Sequence, residues 1–462
     1  MLILHSQLEA TIKNYHSSFI MKRGFVWLMA IILYFVAQPL FGAELKLAAE
    51  CTKENALFKV GEKITFQVKL EGDDGSPVSG REIQYTLKGD GGLKQYGKFI
   101  SGQKPHELFC QLTRPGFVLL SVSTQAEKKI LKTWAGAGVE PENIKPGTSD
   151  TPDFDAFWDT HLKVLRSCKI KADLESVNEP KARYGVKAYK VQLDNGKVRA
   201  NGYLLVPPRA QKGKHPLIVT FNGATTIGAN YTGKDGWSSK CSALVFNMNI
   251  QDTPVNIPKA DWKKWWESEE IKDYMYRDSD QPEKYRIFKV FSRIILTLEY
   301  LKTRPEWDQK TIITQGGSLG GAQALAAAYF EPKTVLCVAN APALSDHFGG
   351  DRAQSPGWPN IFHHLRRKPN ELAASRNTMR YFDMVNFARR LKCPVAMSTG
   401  FIDTICPPTT GYAVYNVIPG KKSIVNVILG THGPSLKQGE RGVFACNSNY
   451  VFDVCCKNKK GK

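Results

Sequence analysis

The feature that most narrows the fold of this 462-residue chain is the pentapeptide Gly316-Gly317-Ser318-Leu319-Gly320. It follows an apolar run, Thr311-Ile312-Ile313-Thr314, and precedes an Ala-rich stretch, residues 321–329, of strong helix formers. A serine in G-x-S-x-G between a strand and a helix marks a nucleophile elbow, a turn so sharply bent that its flanking residues must be small. The bend lifts the hydroxyl above the carboxyl edge of a sheet. The pattern therefore points to an α/β fold carrying a serine nucleophile.

The surrounding sequence agrees. Leu217–Phe221, Ala243–Phe246, Val335–Val338, Val395–Met397 and Ile424–Ile428 are short apolar runs of the kind buried on both faces of a parallel sheet. Between two of them, Ile287, Phe288, Phe291, Ile294, Ile295, Leu298 and Leu301 recur at helical spacing and form one broad apolar stripe. Strands alternating with helices predict an α/β-hydrolase fold, a doubly wound, mostly parallel sheet, over residues 146–437.

Residues 44–145 read differently. Segments such as 63–70 and 116–123 alternate apolar and polar residues with period two, and Gly72-Asp73-Asp74-Gly75 and Gly89-Asp90-Gly91-Gly92 supply turns. This predicts a small antiparallel β-sandwich of immunoglobulin type. Pro141 to Pro152 reads as a linker, and residues 438–462 as a C-terminal extension.

At the N-terminus, Lys22 and Arg23 precede a 17-residue apolar run, 24–40, broken by Pro39. That order is a secretory signal peptide, with Met21 as the start and cleavage near Gly42 or Ala43. The run is short of the ~20 residues a spanning helix needs, so export without a membrane anchor is expected over residues 1–43. Ten cysteines permit disulfides without dictating them: Cys51 with Cys110, and Cys446 with Cys455 or Cys456. Cys168, Cys241, Cys337, Cys393 and Cys406 read equally as small buried hydrophobes, and no zinc-type cysteine array is present.

With 63 Lys and Arg against 43 Asp and Glu, the chain carries a formal charge of +20. The basic residues are dispersed. Their one run, Lys457 to Lys462, reads as a solvated tail, and nucleic acid is not an expected partner.

A serine hydroxyl needs a base within hydrogen-bond reach, itself oriented by a carboxylate. In this fold those partners follow the serine in the order acid, then histidine. Asp403 follows the strand ending at Thr399-Gly400, and His432 follows the one ending at Leu429-Gly430. Alone, Asp403 reads as well as a turn residue before Cys406-Pro407-Pro408, and His432 as a loop histidine. The order, and the fact that His432 is the sole histidine after Asp403, single them out. The oxyanion donors expected are the Leu319 amide and, from the loop Asn222-Gly223-Ala224, the Ala224 amide.

On these residues the chain resembles the acetyl xylan esterase and cephalosporin-C deacetylase family, carbohydrate esterase family seven. The segments that carry the resemblance are Asp153-Phe154-Asp155-Ala156-Phe157-Trp158, the Ser318 motif, Gly400-Phe401-Ile402-Asp403-Thr404-Ile405-Cys406-Pro407-Pro408-Thr409, and Thr431-His432-Gly433. The resemblance implies a triad of Ser318, Asp403 and His432, no metal or organic cofactor, and an acetylated carbohydrate substrate. Leu319, Gly433, Asn249-Ile250-Gln251 and Ala224 depart from the family pattern, which leaves the acyl pocket and the family's hexameric assembly open. Other carboxylic-ester hydrolysis and glycan binding without catalysis are the competing readings. Trp262, Trp265 and Trp266 read as ordinary packing rather than a sugar platform.

Overall fold

The computed structural model describes residues 45–127, 129–177, 183–226, 228–229 and 234–457. The expected signal peptide at 1–43 and the end of the basic tail, 458–462, lie outside them.

Residues 46–139 form eight strands: β1 (Lys46–Cys51), β2 (Leu57–Phe58), β3 (Ile64–Glu71), β4 (Glu82–Gly89), β5 (Lys94–Ile100), β6 (His106–Cys110), β7 (Gly116–Ala126) and β8 (Lys129–Val139). They make a three-stranded sheet, β1-β3-β6, and a five-stranded sheet, β2-β8-β7-β4-β5. The period-two pattern does what it predicts. In β3, Ile64, Phe66, Val68 and Leu70 point inward and meet Ile83, Val118, Leu120 and Val122 of the facing sheet in one shared core. Every pairing is antiparallel except β2 with β8, whose two-residue strand runs parallel.

A third sheet has nine strands: β9 (Lys171–Ser176), β10 (Lys187–Asp194), β11 (Arg199–Val206), β12 (His215–Phe221), β13 (Leu244–Met248), β14 (Trp307–Gly317), β15 (Thr334–Asn340), β16 (Val395–Gly400) and β17 (Lys422–Val427). Their order is β17-β16-β15-β14-β12-β13-β11-β10-β9. The pairings from β13 to β17 are parallel, and β9, β10 and β11 add an antiparallel edge. Both faces are apolar because successive side chains alternate. Leu217, Val219, Phe246, Ile312 and Met397 enter one core with helix α1 (Phe154–Ser167), α2 (Arg286–Lys302) and α3 (Leu319–Phe330). Ile218, Val245, Ile313 and Ala396 enter the other, closed by Val451 and Cys455 of the C-terminal helix Ser448–Lys457. The chain runs from β12 to β13 on one side and returns to β14 on the other. That reversal opens a crevice at the carboxyl ends of β12 and β14, the usual ligand position in open α/β sheets.

Three expectations are corrected. The stretch read as a linker is pinned to the α/β domain at a buried residue: Thr148 donates its hydroxyl to Asp383 Oδ2 at 2.6 Å, and its N–H to Asp346 Oδ1 at 3.0 Å. Cys51, Cys110 and Cys446 are free thiols, so the suggested pairings are not formed. The strand before His432 stops at Val427, and residues 428–430 turn back through a hydrogen bond from Gly430 N–H to the Val427 carbonyl.

The sandwich docks on the loop that carries Asp403. The Phe117 ring packs edge-on against Phe401 with centroids 5.0 Å apart. Gly136 lies so close that a Cβ there would overlap the Phe401 carbonyl. The Asp90 carboxylate, 2% exposed, accepts from the N–H groups of Phe117 and Ser355 and from the Thr409 hydroxyl.

Candidate active site

Ser318 sits between β14 and α3 with φ 58° and ψ −127°, a left-handed conformation that costs a non-glycine residue energy unless its surroundings enforce it. Here they do. The Ser318 N–H donates to the Asn340 carbonyl at 2.9 Å, and its carbonyl accepts from Ala343 N–H at 3.0 Å. Gly320 is obligatory, because a Cβ there would strike the Phe221 carbonyl at the end of β12. The strand-helix junction is thereby pressed against its neighbours, and only the hydroxyl side faces the crevice.

The structure brings Asp403 and His432 to that hydroxyl. His432 Nε2 lies 2.9 Å from Ser318 Oγ, and His432 Nδ1 lies 2.7 Å from Asp403 Oδ2. A carboxylate only accepts, so Nδ1–H is the donor to Asp403, which leaves Nε2 with its lone pair toward the serine. The Asp403 side chain is fully buried. Its other oxygen, Oδ1, accepts from the N–H groups of Ile405 and Cys406 at 2.8 and 2.9 Å, which folds the loop around the carboxylate. Burial, and then the nearby Asp403 charge, push the Cys406 thiol well above its ordinary range. The thiol is therefore a neutral, space-filling neighbour of Ser318.

The expected oxyanion residues flank the serine. Leu319 opens α3, where first-turn N–H groups have no helical carbonyl to reach. The Asn222–Ala224 loop stands on the other side: a Cβ on Gly223 would be 3.9 Å from Ser318 Cβ. Asn222 donates to the Met248 carbonyl at 2.8 Å, Gln323 Nε2 donates to the Asn222 carbonyl at 3.1 Å, and the Tyr274 hydroxyl donates to the Ala224 carbonyl at 3.2 Å. This loop is therefore fixed at three points. Tyr274 belongs to the insertion that also contains the three tryptophans. Trp265 and Trp266 pack on the core, whereas Trp262 is 38% exposed.

Sequence reasoning missed one neighbour. The Phe444 ring stands edge-on to the His432 imidazole, with centroids 5.2 Å apart at 88°, and closes over Gly317. Its segment is held by Ser398 Oγ–H to the Val443 carbonyl at 2.7 Å and Asn340 Nδ2–H to the Phe444 carbonyl at 3.2 Å. Asn340 ends β15, and Ser398 lies beside it in β16, its hydroxyl 2.8 Å from Asn340 Oδ1. Their only sequence signal was polar residues in otherwise apolar runs. Among the described residues, no group of three or more His, Cys, Asp and Glu side chains is placed to hold a metal ion.

Chemically, the arrangement joins a strained serine, an imidazole with a free lone pair and a buried carboxylate beside two sets of backbone N–H groups. Such a site can transfer an acyl group.

Comparison with known proteins gives the same direction. The family model for acetyl xylan esterase matches residues 141–440. Acetyl esterase Axe7A of Xylanibacter ruminicola is 30% identical over 328 residues, covering 70% of this chain and 72% of that protein. Among solved structures, the acetyl xylan esterase from Paenibacillus sp. R4 superposes with a TM-score of 0.55 at 23% identity, over 64% of this chain and 94% of that one. Acetyl xylan esterase 1 from Thermoanaerobacterium sp. JW/SL YS485 gives 0.56 at 22% identity, over 68% and 98%. At those identities the likeness to the solved structures establishes the fold.

Proposed function

Because the chain belongs to the acetyl xylan esterase family and is a carboxylic-ester hydrolase, we propose that it deacetylates acetylated carbohydrate of the xylan type through an acetyl-serine intermediate on Ser318. The observation that carries this reading is the unbroken hydrogen-bonded chain from Asp403 through His432 to Ser318.

His432 Nε2 takes the Ser318 proton as Oγ attacks the acetyl carbonyl, and Asp403 holds the imidazolium that forms. The developing oxyanion is met by the Leu319 and Ala224 N–H groups. His432 then returns the proton to the departing sugar hydroxyl. Water, deprotonated by the same imidazole, attacks the acetyl-serine and releases acetate. Leu319 and Ala224 suit this role because both belong to segments that cannot drift: one is pinned at a helix start, the other by Asn222, Gln323 and Tyr274. The same proposal places the protein outside the cytoplasm, on the signal-peptide pattern of residues 22–40.

The test is acetate release from acetylated xylan and from other acetylated glycans, with Ser318→Ala alongside. Release that disappears in the variant is expected. Release that survives in Ser318→Ala would remove the serine mechanism, and hydrolysis confined to longer acyl or feruloyl esters would reassign the substrate.

A further inference from the structure

Between the sandwich and the Asp403 loop lies a cleft of about 580 Å³. Its walls are mainly apolar, built from Leu93 and Phe117 on one side and Phe401, Pro407 and Pro408 on the other. Lys88 and Lys94 line its sandwich side and are direct partners across the β4–β5 ladder, so both ammonium groups stand on the same face. Like charges set opposite one another on an antiparallel pair repel and weaken it. The same hairpin neutralises its far end, where Lys98 Nζ meets Glu82 Oε2 at 2.8 Å. Lys88 and Lys94 form no ion pair among the described residues and are exposed.

The opposite wall supplies a second, independent sign of a ligand. Gln354 is 6% exposed, lines the cleft, and has a buried Oε1 with no hydrogen-bond partner among the described residues. A buried acceptor left unpaired is costly, and a hydroxyl arriving in the cleft would satisfy it.

From these observations we propose that the cleft is a saccharide subsite for a carboxylate-bearing sugar, with the uronate held by Lys88 and Lys94 and a ring hydroxyl donating to Gln354 Oε1. The apolar walls take the carbon face of the ring. The inference rests on the acetylated-carbohydrate reading above and extends it to an acidic polysaccharide. Asp403 is common to both places: its carboxylate faces His432, and its loop lines the cleft. A saccharide chain crossing residues 403–408 presents an acetyl group at Ser318 while its acidic residue fills the cleft. The excess of Lys and Arg over Asp and Glu, which persists without residues 1–43, draws such a chain from a distance, since the summed field of a basic protein raises the local concentration of an anionic substrate.

The experiment is calorimetric binding to Ser318→Ala, so that no turnover is needed, with three probes: a neutral xylo-oligosaccharide, the same oligosaccharide bearing one glucuronate, and an oligogalacturonate. The same titrations are run on the Ser318→Ala, Lys88→Gln, Lys94→Gln combination. At least one acidic probe is expected to bind about tenfold tighter than the neutral one, the order expected when a charge-assisted hydrogen bond is gained, and to lose that advantage in the combination. Which acidic probe wins identifies the backbone. Equal affinity for neutral and acidic probes, or a preference that survives loss of both lysines, would overturn the proposal. The combination is also expected to melt no lower than Ser318→Ala, because it removes a repulsion. A clearly lower melting temperature would show that the lysines serve the hairpin itself and would count against the subsite. These outcomes are separate from acetate release by the native enzyme, whose absence on every acetylated glycan would defeat the deacetylase reading instead.

Discussion

The Thr409 hydroxyl donates a 2.5 Å hydrogen bond to the buried Asp90 carboxylate, 319 positions earlier in the chain. Thr409 lies in the first turn of the helix Pro408–Val417 that follows the Asp403 loop, and Asp90 sits in a hairpin turn of the sandwich. Together with Phe117 against Phe401, this bond grips both ends of the loop that presents Asp403 to His432. Burial raises Asp90 above the usual carboxylate range, which marks a group held there at a desolvation cost and stabilised by its three donors.

Thr409→Val keeps the shape of the side chain and removes the donor. Losing a hydrogen bond to a buried charge costs about 1.5–3 kcal/mol, and here the slack falls on the acid loop. A several-fold fall in kcat with KM little changed is expected, with recovery in Thr409→Ser. Steady-state kinetics on an acetyl ester decide it, and an unchanged kcat in Thr409→Val would separate the sandwich from catalysis.

Asp403→Asn preserves size but replaces one carboxylate oxygen with a donor, so the His432 ring is no longer held with Nε2 free toward Ser318. A fall in kcat of about 10⁴-fold is expected, as for removal of the orienting acid in other serine hydrolases. A loss of less than about tenfold would mean another group orients the histidine.

Phe444→Ala removes the ring that stands against His432 and covers Gly317. The imidazole gains freedom and the site gains water. A fall in kcat of roughly ten- to a hundredfold is expected, since a misplacement of about 1 Å can cost on the order of 10²-fold. Activity equal to that of the unaltered protein would make the C-terminal segment a bystander.

Stability should depend on pH through Asp346. Burial, and then the neighbouring Asp383 carboxylate, push Asp346 up to about 7. The folded state therefore binds this proton more tightly than the unfolded chain, whose Asp titrates near ~4. The group's contribution to stability is full in acid and is lost as pH rises from about 4 to about 7. Asp346→Asn carries no charge at any pH and keeps a carbonyl to accept from the N–H groups of Gly147 and Thr148. Its melting temperature, relative to that of the unaltered protein, should be higher at pH 8 than at pH 5. The same difference at both values would sink the assignment.

Much of this site was legible in one dimension. The Ser318 elbow carries its own geometry, since only Gly320 lets α3 approach β12, and the strands beside it are continuous apolar runs because both their faces are buried. The antiparallel edge was not legible. Lys171–Ser176 is almost wholly exposed, and its residues show no buried face to read. Thr148 looked like linker because Pro, Gly, Thr and Ser compose linkers. Nothing local announces that Asp346 and Asp383, far along the chain, will meet it.

The sequence by itself determined the α/β class, the antiparallel sandwich, the identity of Ser318, Asp403 and His432 as candidates, and the family, because periodicity and turn chemistry are local properties of the chain. Only the tertiary structure decided that His432 reaches both partners, that Phe444 closes over them, and that Asp90 and Gly136 grip the acid loop from another sheet. Those contacts join residues separated by up to hundreds of positions. They are fixed by how two packed cores come together, which no local pattern records.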